Sequence, residues 1–231
     1  MANDRGERFD VYTIGHSNHE FEDFVSVLED LGIRVLVDVR SHPNSGYPEH
    51  FHQRKLESKL RERPIRYVYL GGCLGGRPGE AAAYEVDRVD YERLRRTKAF
   101  QDGIEQLRRL VREYGSGTVC VMCVEADPLQ CHRFYAVGEE LWARGRSVGH
   151  IEVHRKKEQD QRASGQAAGQ HGGASLGFTL RSHEALRQGF ASRAIQRGLW
   201  DRDPPPATEN EEEWIRWAMN HEGRTIAWNR K

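Results

Sequence analysis

The chain has 231 residues, which suits one domain of roughly 150–200 residues with an appendage, and its 37% hydrophobic and 30% charged residues predict a very polar surface or some disordered length. Lysine and arginine together number 35, as do aspartate and glutamate, so no overall positive field draws nucleic acid non-specifically. The charged start, Met1 to Asp10, and the lack of any apolar stretch near the ~18 residues that span a bilayer predict no signal or transit peptide and no membrane partner.

The first half of the chain predicts three strands and two helices. Residues 11–14 are a short β-prone apolar run, and the apolar residues of 21–31 recur at helical spacing before Gly32. Residues 33–39, IRVLVDV, are nearly continuously apolar, as a strand buried on both faces should be. Residues 41–47 hold proline, asparagine and glycine and predict a loop. Leu56 and Leu60 suggest a short helix, and residues 66–70 predict a third strand.

The alternation of strand and helix continues further along the chain. Residues 71–79 hold five glycines and a proline and predict a long loop, and apolar spacing over 100–111 predicts an amphipathic helix. Residues 118–124 predict a fourth buried strand, and an aspartate followed by a proline opens a helix over 127–145. A weaker fifth strand is predicted over 147–153. The pattern predicts an α/β fold with a mostly parallel sheet of about five strands and helices on both faces.

Three regions are expected along the chain. Residues 9–154 are predicted to form the α/β domain. Residues 155–177 are rich in glycine, glutamine, alanine and lysine, which indicates a flexible linker or an insertion. Residues 178–231 predict a C-terminal extension with a short helix over 182–195. The extension also carries Trp214, Trp217, Met219 and Trp228, which suggest a small element that docks on another surface.

Polar side chains follow each predicted strand. Ligands of open α/β sheets bind beyond the carboxyl ends of the strands, so these residues are expected to share one cleft. The residues collected in this way are His16, Ser17, Asp38, Arg40, Arg77, Cys123, Glu125, Cys131, His132, Arg133 and His150.

Arginines in this group predict an anion pocket. Arg40, Arg77 and Arg133 offer planar forks for phosphate or carboxylate, and the start of the helix over 127–145 adds backbone N–H groups. Asp38 lies inside a buried strand and needs a partner such as Arg40 or Arg133. Ser17 belongs either to the pocket or to the cap of the following helix.

Cysteine, histidine and glutamate supply the candidate catalytic groups. Cys123 ends a strand near a helix start and arginines, which favours a thiolate and makes it the best nucleophile candidate. Glu125, His132 or His16 would move a proton, although His16 could instead stabilise its turn by a hydrogen bond. Cys131 contributes to the anion pocket or is a small buried hydrophobe.

No cofactor or metal is predicted. Cys123, Cys131 and His132, with His16 or His150, could surround zinc, but the spacing matches no standard zinc pattern. The glycine-rich segment from residue 71 to 76 lacks both the GK[ST] ending and the GxGxxG pattern. Its glycines more readily explain a tight turn or a close backbone approach to a ligand. The spacing of the four cysteines is not that of a secreted disulfide framework, so reduced thiols and a cytoplasmic location are expected.

Five motifs in order carry a family resemblance. They are Thr13-Ile-Gly-His-Ser17, Asp38-Val-Arg40 with Pro43 and Ser45, Tyr69-Leu-Gly-Gly72 with Leu74-Gly-Gly-Arg-Pro78, Met122-Cys123-x-Glu125-x-Asp127-Pro128-x-x-Cys131-His132-Arg133, and His150-Ile151. The set resembles the family catalogued as domain of unknown function 488, from about residue 11 to 151 and again around 182–186. The resemblance implies an α/β fold in an intracellular, mostly prokaryotic setting, and no established reaction. Cys73 departs from the polar residue expected there and receives no catalytic role.

Three functions are compatible with these residues. The favoured one is an enzyme for an anionic small molecule or nucleotide-like substrate, clamped by Arg40 and Arg133. The alternatives are a non-catalytic nucleotide or nucleic-acid module, helped by the basic tract 155–157, and a redox or sulfur-transfer protein built on Cys123 and Cys131. Nucleic acid is a possible but not a favoured partner, and the oligomeric state is not predicted.

Overall fold

A computed structural model describes residues 8–44, 48–155, 176–196, 210, 212–213 and 215–219. Its strands are β1 (Val11–Gly15), β2 (Val35–Asp38), β3 (Arg66–Tyr69), β4 (Tyr84–Glu85), β5 (Arg88–Val89), β6 (Val119–Cys123), β7 (Val148–Arg155) and β8 (Leu176–Ser182). Its helices are α1 (Phe21–Asp30), α2 (Gln53–Leu60), α3 (Gly71–Leu74), α4 (Tyr91–Arg96), α5 (Lys98–Tyr114), α6 (Glu139–Ala143) and α7 (His183–Gln196). Residues 212–213 and 215–219 are also helical.

Six strands form one sheet in the order β3-β2-β6-β1-β7-β8. The first five run parallel to their neighbours, which confirms the predicted α/β fold, and β8 runs antiparallel to β7. β4 and β5 pair separately as a small antiparallel ribbon. The sequence did not predict β8, whose residues were divided between the linker and the extension. Its local pattern is weak, because an edge strand is defined by the neighbour with which it pairs.

The sheet buries an apolar cluster on each face. The side chains of β2 alternate between the two, so Val35 and Val37 belong to one cluster and Leu36 to the other. Phe100 of α5 packs on the first face and Phe24 of α1 on the second. This two-sided burial explains the nearly continuous apolar runs of the central strands. None of the helices in the described ranges is both long and apolar enough to cross a membrane.

The chain after β6 differs from the predicted helix over 127–145. Asp127 does cap a turn, since its carboxylate accepts the Leu129 N–H at 2.8 Å, but that turn is a 3₁₀ helix of three residues, Pro128–Gln130. Cys131 then takes an extended conformation, with φ −140° and ψ 141°, which interrupts the helical path. A π-helical segment, Arg133–Gly138, follows and continues directly into α6. The start of this longer helix therefore lies beside Cys131.

A buried polar network attaches α7 to the sheet. His150 of β7 contacts Thr13 Oγ1 at 2.7 Å through Nδ1 and His183 Nδ1 at 3.0 Å through Nε2. His183 Nε2 lies 3.1 Å from the Glu139 carboxylate, which also accepts two hydrogen bonds from Arg187 at 2.9 and 3.0 Å. His150 therefore belongs to this network and not to the predicted cleft.

Arg187 also contacts the C-terminal extension, at Glu212. Arg187 donates to the carboxylate of Glu212 at 2.6 and 3.2 Å, and its guanidinium lies 3.8 Å from the centre of the Trp142 ring. Ile215 and Met219 are buried in the first-face cluster, and Trp217 packs against it. Trp214 and Trp228 lie outside the described residues.

Candidate functional site

A cleft of about 240 Å³ opens at the carboxyl ends of the central strands. It forms there because the parallel register sets Gly15 of β1 beside Cys123 of β6, and Asp38 of β2 beside Met122. The residues that line it are Arg40, Ser41, His42, Gly76, Arg77, Tyr91, Cys123, Val124, Glu125, Gln130, Cys131 and His132. The cleft thus brings together six of the predicted site residues: Arg40, Arg77, Cys123, Glu125, Cys131 and His132. The other predicted residues His16, Ser17, Asp38 and Arg133 do not line it.

Two cysteines and a histidine form the centre of the cleft. The sulfur of Cys123 lies 3.2 Å from Oε2 of Glu125 and 3.7 Å from Nδ1 of His132. The sulfur of Cys131 lies 3.8 Å from the same Nδ1, and it accepts the backbone N–H of Arg133 at 3.5 Å. The two sulfurs and this nitrogen all lie within 4.8 Å of one another. Both thiols and the imidazole can therefore exchange protons locally.

The cluster favours a thiolate on Cys131. Burial alone would raise the pKa of its thiol, but the hydrogen bond from Cys123 and the positive charge of Arg133 outweigh burial and hold that pKa well below its ordinary value. The position at a helix N-terminus acts in the same direction. The hydrogen bond with Cys131 and burial raise the pKa of Cys123 well above its ordinary value. The geometry thus favours Cys131 as the nucleophile, where the sequence had indicated Cys123.

The negative charge on the Cys131 sulfur raises the pKa values of Glu125 and His132. Burial and the nearby sulfur of Cys131 raise the pKa of Glu125, which keeps a proton on its carboxyl group more readily. Burial opposes protonation of His132, but the Cys131 sulfur outweighs it and raises the pKa of the imidazole. Glu125 can therefore act as an acid, and His132 can donate a hydrogen bond to the thiolate.

Arg40 is largely committed to the protein. The carboxylate of Asp38 accepts Arg40 Nε at 2.9 and 3.1 Å and Nη2 at 2.6 Å, so Asp38 pairs with Arg40, one of the two partners that the sequence left open. Nη2 also donates to the carbonyl of Phe51 at 2.8 Å, and Nη1 lies 3.1 Å from Nε2 of His16. Because a guanidinium has five N–H groups and these contacts use four, at most one is left for a ligand. Asp38 was predicted to belong to the anion pocket, but it is buried and does not line the cleft.

His16 holds Arg40 in position through its imidazole ring. Arginine is always a donor, so His16 Nε2 accepts and the ring proton lies on Nδ1, which donates to the carbonyl of Ser17 at 2.8 Å. The ring stacks on Phe51 with centroids 4.3 Å apart. Burial and the charge of Arg40 lower the pKa of His16 to about 4. The turn-stabilising interpretation fits this arrangement better than the catalytic one.

Arg133 supports the turn and does not clamp a ligand. Its side chain is fully buried, and it donates to the carbonyl oxygens of Glu125 at 2.6 Å and Ala126 at 2.9 Å. These bonds use two N–H groups of the Arg133 guanidinium, and because the side chain is buried, a solute cannot reach it. The expected three-arginine clamp is thereby reduced to Arg77, which is exposed at the cleft, and the residual capacity of Arg40.

Ser17 takes neither predicted role. The N-cap of α1 is Glu20, so Ser17 does not cap the helix, and it does not line the cleft. Its backbone is left-handed, with φ 45°, and its N–H donates to the carbonyl of Val124 at 2.8 Å. The contact ties the turn after β1 to the turn after β6. Ser45 lies outside the described residues.

Glycines let the cleft walls approach each other. A Cβ on Gly76 would lie 2.9 Å from the ring of His132, and a Cβ on Gly15 would lie 1.8 Å from the carbonyl oxygen of Glu125. The close approach predicted for the glycines of 71–76 is thus made, at Gly76, to an imidazole of the protein, and Gly15 makes a further one to backbone. Ser41, Tyr91 and Gln130 also line the cleft. Sequence reasoning missed them, and for Tyr91 no signal exists, because α4 follows no strand of the main sheet.

The central trio resembles a metal site in part. Cys123, Cys131 and His132 offer two sulfurs and a nitrogen at close range, but neither His16 nor His150 joins them, since Arg40 and His183 engage those rings. Metal-binding histidines almost always donate their second N–H to a partner. Among the described residues, Nε2 of His132 is buried and has no such partner. Neither predicted histidine therefore completes a set of four ligands, and the described contacts of the trio form a thiol–imidazole cluster.

Comparison with protein families gives one match. The family model described as "Domain of unknown function DUF488" matches residues 20–137, about half of the chain. The matched segment contains every lining residue of the cleft. No curated protein and no solved structure matches the chain significantly.

Proposed function

Since the chain belongs to the DUF488 family, a domain family of unknown function, we propose from its cleft that it is an enzyme that uses the Cys131 thiolate on a small anionic substrate. One observation carries the proposal: the sulfur of Cys131 faces a helix start, accepts the Arg133 N–H at 3.5 Å and lies beside a second thiol and an imidazole. A thiolate in such surroundings is the usual form of a catalytic cysteine.

The size and charge of the cleft support a small anion. Its volume of about 240 Å³ is less than that of a typical drug-sized pocket, ~300–1,000 Å³, so it suits a small molecule or one end of a larger one. Arg77 at the rim and the remaining capacity of Arg40 supply positive charge. A protonated Glu125 would not repel the ligand.

The proposed roles follow from the contacts. The sulfur of Cys131 attacks an electrophilic centre of the substrate, and Glu125 gives its proton to the leaving group. Cys123 donates its S–H to the thiolate before the attack, and His132 Nδ1–H supports the same charge. Asp38 and His16 hold Arg40 in position.

A non-catalytic nucleotide or nucleic-acid module has weaker support. Arg133 is buried and Arg40 is mostly engaged by the protein, so Arg77 and one N–H group of Arg40 suit one small anion and not a run of nucleic-acid phosphates. Of the basic tract 155–157, only residue 155 lies in a described strand, and residues 156–157 lie outside the described residues. The balanced charge of the chain also argues against extended contacts with a duplex.

The test begins with a search for ligands. Nucleotides and sugar phosphates are added to the full chain, and a rise in melting temperature identifies a ligand that binds the folded state. With that ligand, Cys131→Ser should lose turnover and keep the melting temperature, and Arg77→Gln should weaken binding. The matched control is Cys120→Ala, since Cys120 lies in the core on the other face of the sheet. Full turnover by Cys131→Ser would refute the proposal.

A further inference from the structure

We propose that Cys123 and Cys131 are the resolving and attacking thiols of a dithiol pair that reduces the S–S bond of a small anionic disulfide. The inference rests on the proposed function, because it requires Cys131 to be the attacking thiolate. It adds the substrate class and a chemical role for the second cysteine.

The positions of the two sulfurs carry this inference. They lie within 4.8 Å of each other at one end of one cleft. A disulfide bond is about 2.05 Å long, so closure requires the sulfurs to move together by less than about 3 Å. Cys131 lies between the 3₁₀ turn and the following helix, in an extended backbone conformation.

Proton acceptors for the second thiol are already in place. The sulfur of Cys123 lies 3.2 Å from the Glu125 carboxyl group and 3.7 Å from His132 Nδ1. While Cys131 is a thiolate, its negative charge keeps Cys123 protonated. Once Cys131 becomes a neutral mixed disulfide, that repulsion ends, and Cys123 can lose its proton to Glu125. The two thiols are thus set to react in sequence and not together.

The electron and proton balance closes over two steps. The Cys131 thiolate attacks one sulfur of the substrate, the S–S bond breaks, a mixed disulfide forms, and the leaving thiolate takes the proton of Glu125. Cys123 then passes its proton to the Glu125 carboxylate and attacks the Cys131 sulfur. The second thiolate leaves, and a Cys123–Cys131 disulfide remains. Two electrons have moved to the substrate, and an external dithiol reductant restores the pair.

The other cysteines are poorly placed for this chemistry. Cys120 is buried in the opposite face of the sheet, and Cys73 lies on α3 against Gly103 of α5. Neither lines the cleft. Cys120→Ala and Cys73→Ser are therefore matched controls that remove a thiol without touching the pair.

Glutathione disulfide, a small anionic disulfide, is the probe. The reduced full chain is mixed with it, and intact mass and peptide mapping follow the products. The wild type and both controls should lose two hydrogens, form the Cys123–Cys131 bond and release both glutathione thiols. Cys123→Ser should stop at one glutathionyl group on Cys131, and Cys123→Ala should do the same if the serine variant has a lowered melting temperature.

The possible failures are distinguishable. A stable glutathionyl group on Cys131 of the wild type, or release of both thiols by Cys123→Ser, overturns the resolving pair but leaves Cys131 as the nucleophile. Capture of glutathione at Cys123 by Cys131→Ser, at the wild-type rate, overturns both proposals. One tightly bound metal ion per chain, with neither thiol titratable, also overturns both.

Discussion

Nη1 of Arg40 lies 3.1 Å from Nε2 of His16, and this contact fixes the tautomer of a histidine that looked catalytic in the sequence. Burial and the positive charge of Arg40 disfavour the imidazolium, so the ring stays neutral and the pKa of His16 falls to about 4. The pair therefore makes the stability of the fold depend on pH.

Stability should decline as pH falls through the window set by His16. Its pKa is about 4 in the folded chain against an ordinary 6.5, so the unfolded state binds more protons between these values. Neutral His16 contributes about 2–3 kcal/mol to the free energy of unfolding. This contribution is complete above pH 6.5 and is lost as pH falls toward 4. Urea unfolding at pH 7.5 and 4.5 measures it. Glutamine cannot titrate, so between these two pH values His16→Gln should lose about 2–3 kcal/mol less stability than the wild type. Equal losses would contradict the assignment.

The thiol of Cys131 should stay reactive in mild acid. A lowered pKa preserves the thiolate until pH falls below that pKa, whereas an ordinary thiol loses about tenfold in rate for each pH unit below its own. Alkylation by iodoacetamide, mapped by peptide mass between pH 5.5 and 8.5, checks this. The label should be on Cys131 at pH 6, and Cys131→Ser should remove it. Preferential labelling of Cys123 at pH 6 would show that the thiolate is assigned to the wrong sulfur.

Gly15→Ala should destabilise the chain and disturb the cleft. Its Cβ would lie 1.8 Å from the carbonyl oxygen of Glu125, so the turn after β6 must shift, at a cost of about 3 kcal/mol. Alkylation of Cys131 should slow as well, since the same turn holds Arg133. Gly72→Ala is the control, because a Cβ there has no neighbour within 4 Å. Chemical denaturation compares them, and equal midpoints would refute the close approach.

Glu139→Gln should release the C-terminal elements from the sheet. The substitution leaves Arg187 and His183 without their shared negative partner, and breaking a buried pair in this way costs about 3–5 kcal/mol. Hydrogen exchange should accelerate over α7 and residues 212–219 before the central strands. Glu184→Gln, at an exposed position on α7, should change neither stability nor exchange. Unchanged exchange in Glu139→Gln would mean that apolar contacts alone hold α7.

The central strands could be predicted because their signal is local. The apolar runs 33–39 and 118–124 contain β2 and β6, since strands covered on both faces need apolar side chains in both directions. The parallel order then placed Arg40, Cys123 and Glu125 at one edge. β8 escaped notice because its structure depends on pairing with β7, which residues 176–182 do not reveal.

The sequence by itself determined that Arg40, Cys123 and Glu125 gather at the carboxyl edge, because strand period and parallel topology follow from the order of residues along the chain. Only the tertiary structure decided what each one does there. Arg133 turns to two carbonyl groups, His16 to Arg40, and Cys131 to a helix that begins at Arg133 and not at residues 127–128 as the sequence predicted. The physical reason is that the direction of a side chain and the charge on a buried group depend on neighbours supplied by distant segments.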